Sequence, residues 1–522
     1  MSEQGQAKGG GWSNERSAAG EHNPWVVAII VSMATFMEVM DISIANVSLQ
    51  HIAGSLSADQ AESTWVLTSY LVSNAIVLPV SGWLARVVGR KRFYMGCIAL
   101  FGASSLLCGL APTLGLLVFF RVLQGLGGGG LAPSEQSILA DTFPPAQRGQ
   151  AFALYGIAVV VAPTLGPTLG GWITDHASWR WVFLINVPIC VLSLFLSGWI
   201  LNDPPVVRRE REELRRGGLK VDYLGCALVA VGLGCLQVVL DKGTEDDWFA
   251  SDFILAFAIV SAISLVALVI WELGRDDPIV DIPLFKDRSF AATMATMFLT
   301  GFILISTTQV LPQFMQSLMG YTATEAGMAL TAGGLATLVV MPLVGTALKK
   351  FQPKHLIAFG LMIEAVACWH LRGFTTDITF AHVAWARVLQ AVGLPFLFVP
   401  ISTVAYAGLP PGKSNNASAL VNTMRNLGGS FGISVAVMLL AQRGQLHHER
   451  IVSSADAFTP AGVSAEASPA ALRALQQMIE RQAAMASYID IFLVLAIAAA
   501  VAAPVVLLLL RQLKPEEAAA GH

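Results

Sequence analysis

Apolar residues fall into fourteen long blocks separated by short polar or charged intervals: about 25–48, 64–84, 94–111, 114–138, 150–173, 181–201, 222–240, 253–271, 290–311, 325–347, 356–373, 382–407, 417–441 and 488–511. Each is long enough to cross a hydrocarbon layer about 30 Å thick, some with tilt. The blocks are continuous rather than strictly alternating, which excludes the ten-residue strands of an outer-membrane barrel. Backbone groups in hydrocarbon must find partners within their own segment, so the blocks predict helices and an all-α membrane protein. Composition agrees: 55% of the 522 residues are apolar, 13% are charged and mean hydropathy is +0.63. A soluble enzyme, a disordered chain and a secreted disulfide scaffold are excluded. A net charge of -3 gives no footprint for nucleic acid.

The distribution of Lys and Arg orients the spans. With the N-terminus inside, inner segments hold 22 of the 32 basic residues, outer segments seven, and Arg121, Arg387 and Arg425 lie within spans. An even number of spans then places both termini in the cytoplasm. The polar stretch 1–24 lacks the short apolar core of a cleaved signal peptide and reads as a tail.

The chain repeats itself. RVLQGLG at 121–127 returns as RVLQAVG at 387–393, and at the same offset Pro144-Pro145 matches Pro410-Pro411. Pro79, Gly82 and Arg86 are echoed by Pro342, Gly345 and Lys349. Parallel repeats imply two related halves. The expected division is a tail at 1–24, an N-terminal six-helix bundle at 25–201, a basic loop at 202–221, two extra transmembrane helices at 222–271, a linker at 272–289, a C-terminal six-helix bundle at 290–511 containing a long outer loop at 442–487, and a tail at 512–522.

Charges inside these blocks cost about 2.5–3.5 kcal/mol each on insertion scales, so each calls for a reason. Glu38 and Asp41 share one face of the first span with Ala34, Ala45 and Ser48. Small and acidic residues on one stripe suggest the wall of a water-filled cavity, and burial there favours the neutral form of a carboxyl, as a proton-coupled pump needs. Arg121 heads a stripe continued by Gln124 and Glu135, either to answer a nearby acid or to form a structural salt bridge. Arg387 and Gln390 repeat it in the second half, where the acidic pair of the first span has no echo. Asn46, Gln124, Glu135, Arg387 and Gln390 are therefore candidate cavity residues. Glu364 is a lone acid in the eleventh span. In the fifth span, Pro163 and Pro167 interrupt helical hydrogen bonding and Gly166, Gly170 and Gly171 permit close backbone approach, describing a bent helix at a tight interface. The six cysteines form no C-x-x-C pair and read as packing residues, and the nine histidines show no ligand spacing, so neither a metal nor a cofactor is expected.

These motifs, in this order, resemble the major facilitator superfamily, and within it the fourteen-span drug:proton antiporters of the EmrB type. The resemblance rests on FMEVMDISIANVSL at 36–49, GWLARVVGRKR at 82–92, RVLQGLGGGG at 121–130, APTLGPTLGG at 162–171 and WRWVFLINVPI at 179–189, and covers about 25–511. One departure stands out: where the superfamily's second-loop motif carries Asp, this chain has Arg86, although Gly82, Gly89 and Arg90 match. The resemblance implies two six-helix bundles plus two inserted helices, rocking about a central cavity in a bacterial inner membrane. It implies export of small amphipathic compounds driven by the proton gradient, with Asp41 and the buried Arg121 in proton coupling; the family does not generally require an acid at Glu38, which its place beside Asp41 assigns to assist. It also implies a periplasmic membrane-fusion adaptor and an outer-membrane channel as partners, with the periplasmic segment 442–487 as docking site. The alternative is a proton-coupled solute or lipid transporter of the same fold working without an adaptor.

Overall fold

The computed structural model describes residues 22–203, 208–209, 211–212, 222–275, 278–376, 378–407, 409, 413–458 and 469–510. Most of the terminal tails, most of the basic loop 202–221 and the repeated Pro410-Pro411 lie outside the described residues. Among those described, every regular element is helical, and fourteen helices are long and apolar enough to span a membrane. They are α1 (Pro24–Val47), α2 (Trp65–Val88), α3 (Arg90–Leu110), α4 (Leu114–Thr142), α5 (Pro145–His176), α6 (Trp181–Ile200), α7 (Tyr223–Lys242), α8 (Asp252–Leu273), α9 (Arg288–Ser317), α10 (Ala323–Ala347), α11 (Pro353–Leu371), α12 (Phe380–Ala405), α13 (Ser414–Phe458) and α14 (Pro469–Leu509).

Local chemistry sets several boundaries. Asn23 caps α1 by accepting from Trp25 N, with Pro24 at the first helical position. Gly89 ends α2 at φ 98, a conformation costly for other residues. The glycine run of α4 is not a continuous helix as expected: the helix is interrupted at Gly129 and Gly130, where Gly130 N turns to Gly127 O at 3.4 Å, and resumes at Leu131.

The outer loop expected at 442–487 is instead helical on both sides, with α13 running to Phe458 and α14 starting at Pro469. At 1.5 Å per residue, 45 residues span about 68 Å, more than twice the hydrocarbon thickness. The hydropathy pattern saw only the immersed part. The arm of α13 is tied to the start of the immersed part of α14: His447 Nε2 lies 2.9 Å and Arg443 Nε 3.6 Å from Asp490 Oδ2.

The two halves meet along α2 with α13 and α5 with α10. Gly82 abuts the backbone of Asn415, and Gly345 abuts that of Gly149 and Gln150, so the weak Gly82/Gly345 echo marks equivalent places in the two interfaces. On the face bearing Pro24, the halves are closed together. Phe152 stacks on Tyr406 and Tyr155 on Phe398. Gln136 Oε1 accepts from Tyr406 Oη at 3.2 Å and Asn422 Nδ2 at 3.0 Å, and Ser418 Oγ donates to Pro133 O at 2.5 Å. Toward the opposite face, Asn46 Nδ2 donates to Gln309 Oε1 at 3.2 Å.

Candidate functional site

The first half encloses an ion pair with no solvent contact. Arg121 Nη1 lies 2.6 Å from Asp41 Oδ2, and both side chains are 0% exposed. Asp41 Oδ1 accepts from Asn186 Nδ2 at 2.6 Å and Gln124 Nε2 at 3.1 Å. Arg121 is itself fixed: Nη1 also donates to Gln124 Oε1 at 2.8 Å, Nε donates to Val66 O at 2.9 Å, and the guanidinium sits 4.3 Å from the centre of the Tyr70 ring. Ser105 Oγ accepts from both Gln124 and Asn186 and donates to Phe183 O at 2.9 Å. Helices α1, α2, α3, α4 and α6 all contribute. A buried pair persists in low dielectric only when its remaining donors and acceptors are satisfied, and this shell largely does so.

Glu38 is one turn away on α1 but serves a different neighbourhood. Its Oε1 accepts from Asn74 Nδ2 at 3.1 Å and Tyr70 Oη at 3.4 Å, whereas Oε2 has no hydrogen bond. Arg425, on α13 of the other half, attracts it and Asp41 repels it. Tyr70 therefore bridges the two neighbourhoods, with its ring under Arg121 and its hydroxyl on Glu38. Asn426 Nδ2, beside Arg425, donates to Asn74 Oδ1 at 3.4 Å and carries the network across the halves.

Glu135 does not join the Asp41 shell. Beyond the glycine interruption in α4, it accepts from Thr35 Oγ1 and from Tyr94 Oη at 3.3 Å. Arg387 and Gln390 reproduce the Arg121–Gln124 contact, Nη1 donating to Oε1 at 2.6 Å. Their acid comes from α11: Glu364 is wholly buried beside Arg387 and Gln390. The buried acid nearest the repeated basic motif thus comes from a different helix in each half, in direct contact with Arg121 in the first and without a direct ion pair to Arg387 in the second.

The conformational motifs lie at interfaces. Arg90 forms a 2.7 Å salt bridge with Asp141, and Arg86 is half-buried. In α5, Pro167 has no N–H to give to the carbonyl four residues back. That carbonyl, Pro163 O, accepts from Ser43 Oγ of α1 at 3.1 Å instead. Gly166 and Gly170 lie against Ser43 and Ile44, and Gly171 is buried beside them. Sequence reasoning missed Asn186, Ser105, Asn74 and Tyr70, and saw Arg425 only as a charge in a span. The available signal was a polar residue inside an apolar run, as in FLINVPI for Asn186.

Comparison with known proteins follows the same outline. The Major Facilitator Superfamily model matches residues 31–433. The chain is 38% identical to the multidrug export protein EmrB of Escherichia coli (strain K12), over 83% of this chain and 84% of that protein. It is 39% identical to the probable multidrug resistance protein EmrY of the same strain, over 84% of each. It is also 38% identical to the fatty acid resistance protein FarB of Neisseria gonorrhoeae, over 83% of each. Among solved structures, the proton:xylose symporter XylE superposes with a TM-score of 0.64 at 14% identity, covering 95% of this chain and 98% of that one. A bacterial homologue of the human lysosomal transporter Spinster gives 0.52 at 17% identity, covering 94% and 99%. At such identities, these structures speak for the fold alone.

Proposed function

The chain belongs to the major facilitator superfamily, a family of multi-pass membrane transporters rather than enzymes, and from that premise we propose that it exports amphipathic drugs or toxic compounds in exchange for protons. The observation that carries the coupling is the Asp41 shell, an acid and a permanent cation wholly buried between α1, α4 and α6. A proton arriving from the outer side removes the charge on Asp41 and with it the attraction that holds Arg121 Nη1 at 2.6 Å. The helices joined by that attraction then lose a reason to stay together. Glu38, adjacent on α1 and facing Arg425 across the halves, relays the change to the closed face. Proton and substrate each shift the balance between inward- and outward-facing states only by the difference in their affinities for the two. Substrate passes between the halves, where Asn46 meets Gln309 across them; Gln124, Arg387 and Gln390, expected in the cavity, are instead buried inside their own halves, bonded to Arg121, Asp41 and each other.

The names of the relatives support drug-like cargo, and one of them, a fatty acid resistance protein, supports amphipathic anions as well as cations. We place the protein in the bacterial inner membrane with both termini in the cytoplasm, on the distribution of Lys and Arg. The overshooting arms of α13 and α14, residues 442–458 and 469–487, are the surface we assign to a periplasmic membrane-fusion adaptor leading to an outer-membrane channel.

Reconstituted vesicles test the coupling. An imposed pH gradient is expected to drive drug accumulation by the wild type, and Asp41→Asn to reduce that accumulation at least about tenfold, a typical coupling energy. Wild-type pumping by Asp41→Asn against a drug gradient would overturn the assignment. Deleting 452–470 is expected to abolish adaptor cross-linking while leaving vesicle transport intact. Unchanged cross-linking would remove the docking role.

A further inference from the structure

We propose that Asp281, in the linker after the two inserted helices, is the residue that latches the Pro24-bearing face shut, and that the α7–α8 hairpin is its anchor. This inference rests on the alternating-access reading above.

The first turn of α13 is where the second half touches the first at this face. A Cβ on Gly82 would stand 2.9 Å from Asn415 O and 3.0 Å from Asn416 Cα, so α2 and α13 pack backbone to backbone. Ser414 Oγ donates to Asp141 Oδ1 at 3.0 Å. The N-terminus of a long helix carries positive partial charge and unpaired N–H groups. Lys413, just before this one, adds a full positive charge. One turn along α2 from Gly82 stands Arg86, where the superfamily motif has an acid. With Asp141 already engaged by Ser414 and Arg90, Lys413 is met by a carboxylate from outside α2 and α4.

Asp281 supplies it. Its side chain is buried, and Oδ2 accepts from Lys413 Nζ and from Asn416 Nδ2 at 3.2 Å, on the first turn of α13. The segment that presents it is held by the inserted pair. Glu272, at the end of α8, accepts from Ile279 N at 3.0 Å. Ile279 is buried among Val80 and Trp83 of α2, Val229 and Leu233 of α7 and Leu268 of α8. Asp222, which caps α7, accepts from Trp271 Nε1 at 2.9 Å and pairs with Arg275 Nη2 at 3.2 Å. Hairpin, linker and Asp281 thus form one braced unit packed on α2 and reaching across to α13. When α13 swings from α2, the Asp281 contacts must break, so Asp281 stabilises the state closed at this face and acts as a positioning residue for the transport cycle.

The test reads the conformational balance directly. A cysteine-free full-length chain carrying Ala417→Cys, buried beneath the closed face, is purified in detergent without substrate or pH gradient and labelled with a polar maleimide. Asp281→Asn is expected to raise the labelling rate at least about fivefold. Asp281→Glu should leave it near wild type, and adding Arg86→Asp to Asp281→Asn should restore it. A control cysteine at Ala367, buried in α11, should stay unreactive in every variant. Wild-type labelling by Asp281→Asn overturns the proposal. So does a rise shared by the Ala367 control, which would mean general loosening, or a failure of Arg86→Asp to restore closure. Because no gradient or cargo is present, failure here leaves the proton-coupling assignment standing, and failure of Asp41→Asn in vesicles leaves this one standing.

Discussion

Asp41 receives a hydrogen bond or ion contact from Arg121, Gln124 and Asn186 at once, and is wholly buried. Losing one partner of such a buried pair typically costs 3–5 kcal/mol, because the other charge is stranded. Asp41→Asn is thus expected to lower thermal stability as well as coupling, and the two effects need separating. The double variant Asp41→Asn, Arg121→Gln removes both charges. It should recover most of the lost melting temperature in detergent while still failing to accumulate drug under a pH gradient. Recovery of transport by the double variant would mean that the pair is only a brace. Asn186→Ala removes one neutral donor and should cost about 1–3 kcal/mol of stability, with transport slowed rather than lost. Parallel melts and vesicle uptake measure both.

At the scale of elements, α5 has exchanged regular helical bonding for contact with α1. Pro167 frees a carbonyl that Ser43 takes up, and Gly166 presents bare backbone to the same residue. A side chain at Gly166 has nowhere to go except into Ser43, so Gly166→Leu is expected to wedge α1 from α5. Since α1 carries Asp41 and Glu38, the expected result is normal membrane insertion with transport reduced more than tenfold, checked by expression level and uptake on the same preparation. Wild-type uptake would show that this seam does not constrain the cycle. The arms of α13 and α14 illustrate the reverse economy. Near the water boundary they hold together through Asp490, His447 and Arg443 alongside apolar contacts of Leu439, Leu440, Ala484 and Met485.

For the molecule as a whole, the closed face gathers contacts from both halves around Gln136, Tyr406, Asn422 and Ser418. Cysteines at Gln136 and Asn422 joined by a reducible bifunctional reagent should hold that face shut. Transport is expected to stop on cross-linking and to return when the reagent is cleaved. Continued transport by the cross-linked protein would contradict alternation between two faces. The internal repeat has a matching consequence. Arg121–Gln124 and Arg387–Gln390 make the same Nη1-to-Oε1 contact, yet the nearby acid comes from α1 in one half and from α11 in the other. Proton coupling built on Asp41 is therefore a property of one half within a nearly symmetric frame.

Fourteen spans, the two-half repeat and the buried charges on α1 and α4 were legible from residue order. Hydrocarbon imposes a length and a polarity on any segment that crosses it, and a charge placed there announces itself. Residue order did not show that α13 and α14 continue as helices outside the membrane, since hydropathy falls off where water begins. Nor did it pair Asp41 with Asn186, 145 residues away, bring Glu364 near Arg387, or pair Asp281 with the first turn of α13. Each of those partnerships depends on which helix faces become neighbours. That is settled by packing among all fourteen helices at once, a condition no local stretch of sequence carries.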